Sequence, residues 1–170
     1  IGNDKVNLHV KVKPGTPNRA RRVYTINEVY IFPGYQLNAA KADTLKTNAE
    51  FFEGYYVVDN NKTYKPRMFA QAMQFSPGDV YNRTDHNQSI SRLVNLGVFK
   101  FVKNRFEPVE NSDSALLNTY YYLTSSPKKS LRAEINANVK SNNLTGSGIT
   151  LGWRNRNTFR SGELLSVNAT

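Results

Sequence analysis

The chain has 170 residues, is 39% hydrophobic and 12% aromatic, and contains no cysteine; Lys and Arg outnumber Asp and Glu by 23 to 13, for a net charge of +10. The length fits one ordinary domain or two small ones, and the composition excludes a disordered polymer. The missing thiols exclude a disulfide scaffold and thiolate-bound metal. The basic excess is scattered, its densest run being Arg19, Arg21 and Arg22. Without zinc-finger, RNP1-like or GXXG spacing, it argues against nucleic acid as a partner. No apolar run approaches the roughly 20 residues of a membrane helix, so membrane contact would have to use β-strands or an anchor elsewhere. Ile1 opens no charged-plus-apolar leader, and a signal peptide is expected to have been removed or to lie upstream.

Val6, Leu8, Val10 and Val12 alternate with polar residues up to Pro14-Gly15. This predicts a strand, the last of a preceding domain, with the linker completing residues 1–20. "YTINEVYIF", residues 24–32, predicts a strand ending at Pro33-Gly34. Residues 35–54 have weak periodicity and open a long segment, residues 35–64, that reads as an insertion. Within it a hairpin is expected, Tyr55–Val58 against Lys62–Tyr64 around Asp59-Asn60-Asn61. Pro66 suits the first turn of a helix with Met68, Ala72 and Met73 on one side, closed by Ser76-Pro77-Gly78. A second helix is capped by Thr84 or Asp85, carries Ile90, Leu93 and Val94 in an apolar stripe, and stops at Gly97. Strands follow at residues 98–106 and 115–123. The fold class predicted for residues 21–128 is therefore α+β, a three-stranded mixed sheet with two helices on one face.

Beyond "SSPKK" the pattern changes. Leu131, Ala133, Ile135, Ala137 and Val139 alternate with Arg132, Glu134, Asn136, Asn138 and Lys140. Ile149, Leu151 and Trp153, then Leu165 and Val167, continue the alternation, so residues 129–170 predict three antiparallel strands with one dry face. No later helix pattern covers that face. A second sheet of a soluble sandwich, or the lipid around a transmembrane barrel, would each satisfy it.

"PGDVYNRTDHNQSISRLVNLGVFKFVKNRFEP", residues 77–108, followed by the alternating strands and by "LGWRNRNTFRSGELL", resembles the junction region of BamA/TamA-type outer-membrane assembly factors. Its "L..LGVFK.V" and "G....RNRN.F..GE" patterns carry the resemblance. The resemblance implies that the last polypeptide-transport-associated (POTRA) domain runs into the first strands of a surface-antigen β-barrel. It places the barrel in the outer membrane and the POTRA part in the periplasm. The implied function is to capture unfolded outer-membrane proteins and hand them to the barrel, without enzymatic chemistry or cofactor. Outer-membrane lipid is an implied partner, with accessory lipoproteins or periplasmic chaperones as further ones. Two alternatives remain beside it: a secretion pore of the same superfamily exporting one partner protein, and a soluble periplasmic protein-binding module.

Nothing in the residues specifies chemistry. His9 and His86 lack ligand spacing, Asp79 and Asp85 read as turn and cap residues, and no phosphate loop is present. The candidate binding site is the strand Val98, Phe99, Lys100, Phe101, Val102, Lys103, Asn104, Arg105 and Phe106. Alternation puts Phe99 and Phe101 on one face, with Val98, Val102 and Phe106 on the other. Either one set packs under the helices and the rest is tolerated on the surface, or the strand is a free edge that captures extended client by β-augmentation. The apolar positions of the last three strands, Leu131, Ala133, Ile135, Ala137, Val139, Ile149, Leu151, Trp153, Leu165 and Val167, are the candidate lipid-facing set.

Overall fold

The computed structural model describes residues 9, 11–17, 21–36, 48–110, 115–139 and 145–170. Most of the strand expected at residues 6–12 lies outside them. The elements run β1 (Thr25–Phe32), β2 (Glu50–Phe52), β3 (Tyr55–Val57), α1 (Pro66–Ala72), α2 (Arg83–Asn95), β4 (Phe99–Pro108), β5 (Leu116–Ser125), β6 (Lys129–Val139), β7 (Thr145–Arg156) and β8 (Leu164–Ala169). The first five strands form one sheet in the order β2-β3-β1-β5-β4, and the last three form a second sheet. In the first sheet β1 runs parallel to β3 and β5, while β2–β3 and β4–β5 are antiparallel. The α+β layering expected from the sequence is present.

The insertion differs from its expected form. Tyr55–Val57 pairs backward with Glu50–Phe52, and the turn between them places Glu53 at φ 47° and Gly54 at φ 92°. Two successive positive φ values make a type I′ turn, whose twist matches a two-residue hairpin. Residues 59–62 instead form a turn toward α1, with Lys62 N–H donating to Asp59 O at 3.0 Å. The hairpin therefore lengthens the sheet from three strands to five and covers the second half of β1. The first half is covered by residues 78–81, where Ile26 N–H donates to Asp79 O at 2.8 Å and Tyr81 N–H to Tyr24 O at 2.8 Å.

Helix α2 is capped by Asn82, not Thr84 or Asp85: the Asn82 side chain accepts from Thr84 N–H at 2.9 Å. Its buried residues are His86, Ser89 and Leu93, whereas Val94 is 48% exposed. The inward stripe is rotated from the one expected because buried polar residues occupy positions that hydropathy leaves blank. Gly97 sits past the helix end at φ 69°, the left-handed position that lets the chain reverse into β4.

The main core lies between the helices and the sheet, with Ile26, Val29, Ile31, Phe69, Leu93, Val98, Tyr121 and Leu123 at its centre. The other sheet face is aromatic. Tyr30 stacks on Tyr56 with centroids 4.9 Å apart and on Tyr120 at 5.4 Å, and Phe32 stacks on Tyr122 at 5.2 Å. Tyr120, Tyr121 and Tyr122 alternate between the two faces, so one tyrosine run serves both layers.

Candidate functional site

Among the described residues strand β4 is paired on one side only, by β5, and it is the longer of the two edges of the five-stranded sheet. Its register with β5 slips between Phe99 and Phe101, leaving Lys100 as the extra residue of a bulge. A bulge shifts the alternation by one position. Phe99 therefore enters the core with Val102 and Phe106 packed beside it, while Phe101 is 53% exposed. The strict alternation that put Phe99 and Phe101 on one face is corrected by that single residue.

Past the bulge, Phe101, Lys103 and Arg105 are exposed and alternate with the partly buried Val102, Asn104 and Phe106. Lys103 lies opposite Tyr122 and Arg105 opposite Tyr120, so the cations border the aromatic face of the sheet. The Lys100 ammonium stands 5.3 Å from the Phe101 ring centroid, and Arg105 pairs with Glu107 at 2.6 Å. Charge and a bulge are the devices by which natural sheets keep an open edge from aggregating.

The second sheet has continuous register: Leu131 faces Trp153, which faces Val167, and Ala133 faces Leu151, which faces Ala169. Ile135 and Ile149 complete the same face, and Ala137 is paired with Ser147. Leu131 is 84% exposed and Ile135 81%, with Ile149, Leu151, Leu165 and Val167 also exposed and Trp153 half-buried. Nothing in the described chain packs over this apolar face. The opposite face carries Arg132, Glu134, Thr150, Gly152, Arg154, Ser166 and Asn168. Arg132 is ion-paired with Glu134. No described helix is long and apolar enough to cross a membrane.

The "RNRN.F..GE" stretch forms the end of β7 and the β7–β8 turn. The Glu163 carboxylate accepts from Phe159 N–H and, at 3.0 Å, from Ser161 N–H. Desolvation pushes this carboxyl up, but the backbone donors and the nearby Lys65 ammonium outweigh it and hold Glu163 below its ordinary range. Asn157 is 3% exposed; its Oδ1 accepts from Gly162 N–H at 3.1 Å and its Nδ2 donates to Thr63 O at 2.9 Å. The sequence places this pattern in the opening barrel strands but gives no sign of its bond to Thr63, a partner 94 positions away. Among the described residues no group of three or more His, Asp or Glu side chains is placed to hold a metal.

A layered sheet with one free bulged edge, followed directly by strands with one bare apolar face, describes a POTRA domain entering a barrel. The family model for POTRA, surface antigen variable number repeat, matches residues 54–142, and the chain belongs to that family. In fold it is similar to the crystal structure of BamA from Haemophilus ducreyi lacking POTRA domains 1-3, at 14% identity and a TM-score of 0.53. That likeness covers 85% of this chain and 21% of the BamA chain. It is also similar to CdiB from Acinetobacter baumannii, at 11% identity and a TM-score of 0.51, over 94% of this chain and 41% of that one. No curated protein matches. The chain thus spans about a fifth of the BamA chain and two fifths of the CdiB chain. Its family is thus that of the POTRA domain, and the BamA and CdiB structures are likenesses of its fold.

Proposed function

We propose that this chain belongs to an outer-membrane assembly factor whose POTRA domain captures unfolded outer-membrane proteins along β4 and passes them to the barrel that β6 to β8 begin. The observation that carries the reading is the unequal treatment of the sheet edges. β1 is covered along its length by β3 and residues 78–81, and β2 has three residues, whereas β4 offers a ten-residue edge. Backbone pairing along such an edge is tolerant of client sequence, each hydrogen bond adding about 0.5–1.5 kcal/mol net. Lys100, Lys103 and Arg105 suit clients of acidic or mixed charge and discourage pairing between two copies of the edge.

In this reading Leu131, Ala133, Ile135, Ala137, Ile149, Leu151, Trp153, Leu165 and Val167 face lipid, the side chain of Val139 lying outside those described, and residues 21–128 and 129–170 are the POTRA and barrel parts. The work is binding and transfer, with no bond made or broken in the client. Export of a single partner protein would use the same edge and differ in client breadth.

The test places a photo-crosslinking amino acid at Phe101, Lys103 or Arg105 of the full-length protein in the outer membrane. Crosslinks to many unfolded outer-membrane proteins are expected at all three positions, and few from the helix position Gln88. Crosslinks to one protein only would favour the export reading. An edge no more reactive than Gln88 would remove client capture by β4.

A further inference from the structure

The β7–β8 turn does more than reverse the chain. Asn157, at φ 62°, is buried and sends its Nδ2 to Thr63 O at 2.9 Å, on the segment leading into α1. Two residues further along that segment, Lys65 N–H donates to Arg160 O at 2.8 Å, so the two strands of chain exchange a bond in each direction. Gly162 lies between them: a Cβ there would meet Met68 Sδ at 2.8 Å and Leu96 Cδ2 at 3.6 Å. Its φ of 81° also belongs to a region that other residues enter at a cost. The turn backbone thus rests against side chains from both α1 and the end of α2.

We infer that the turn Asn157–Glu163 is a clasp that holds the second sheet in one orientation against the helical layer, with Asn157 as its positioning residue. Asn157 is suited to this because its amide has both an acceptor and a donor. The acceptor closes the turn on Gly162 N–H, and the donor reaches the other layer. Glu163 shapes the turn from within, so Arg160 O is presented to Lys65 whether or not the layers touch. The cleft beside the clasp is lined by Asp59, Thr63, Lys128, Arg156 and Asn157, so it reaches the residues of the Asn157–Thr63 bond. Water entering the cleft when the layers part can replace that bond, so the clasp is reversible.

The test removes the clasp from each side separately in the full-length protein. Asn157→Asp keeps the acceptor for Gly162 but loses the donor to Thr63. Lys65→Pro deletes the N–H that reaches Arg160 and the ammonium near Glu163, while the Phe159 and Ser161 bonds to the Glu163 carboxylate remain; Lys65 has φ −81°, which proline tolerates. Spin labels on cysteines introduced at the exposed positions Gln88 and Ser166 report the separation of the layers by double electron-electron resonance, any other cysteine being removed. One narrow distance is expected in the parent protein, and a broadened or second population in both variants, with circular dichroism unchanged. A distance distribution that stays narrow and unshifted in both variants would overturn the clasp. If one variant loses its folded spectrum, the other decides by the same criterion.

Discussion

His86 Nδ1 lies 2.8 Å from the Tyr121 hydroxyl, and both residues are buried where α2 crosses the sheet. Tyr81 and Phe106 complete the aromatic surround, the Phe106 ring centroid standing 4.9 Å from the imidazole. Burial holds the His86 pKa below its ordinary 6.5. Because the unfolded chain then binds the proton more readily, the stabilisation is full above that value and falls as pH drops through it. Urea midpoints measured from pH 7.5 to 5.5 should fall with acidification, and His86→Phe should flatten the slope. A parent slope retained in His86→Phe would place the titration elsewhere.

Gly54 and Gly97 both have positive φ, but only Gly54 is crowded, with Pro77 Cδ 3.1 Å from where a Cβ would stand. Gly97→Ala should cost about 1 kcal/mol from backbone strain alone. Gly54→Ala should cost more, because Pro77 has to move as well. Chemical denaturation of the two variants side by side gives the order; a larger loss in Gly97→Ala would contradict it.

In an antiparallel edge strand alternate N–H groups point inward and outward. Proline placed in turn at Val102, Lys103 and Asn104 should therefore divide into two classes. Where the lost N–H served β5, the melting temperature falls; where it faced outward, the fold survives and client crosslinking is lost. Crosslinking that survives in every stably folded variant would argue against backbone pairing as the mode of capture.

Ile135 and Asn136 are neighbours on opposite faces of β6. If the apolar face meets lipid, Ile135→Lys should weaken membrane insertion, by about 2–4 kcal/mol where the residue lies near the bilayer midplane. Asn136→Lys should insert normally. Folding yields into lipid vesicles compare the two, and equal yields would remove the lipid assignment of this face.

Glu163 has a depressed pKa, so the stability it contributes is present above its ordinary value near 4.5 and is lost as pH falls through the lower folded value. Glu163→Gln should loosen the turn at neutral pH and abolish this acid dependence. Amide hydrogen exchange at Phe159 and Ser161 is the direct measurement, with faster exchange expected in the variant.

The sequence by itself determined the layering of the first part, the alternation of the last three strands, and the helix stop at Gly97. Each of these depends on contacts or periodicity within a few residues, and the two quoted patterns sufficed to mark the resemblance. The tertiary structure decided the rest. The bulge at Lys100 is a register slip against β5, and β4 alone contains no signal for it. His86 and Ser89 are interior because Tyr121 and the backbone N–H of Gln74 supply their hydrogen bonds, partners that hydropathy does not register. The hairpin that covers β1 formed one turn earlier than expected, since Glu53-Gly54 accepts two positive φ values while Tyr55–Val57 finds a parallel partner in β1. Asn157 became a link between layers only once Thr63 and Lys65 were brought beside its turn. Pairings over such distances depend on where the whole chain goes, and local sequence carries no record of them.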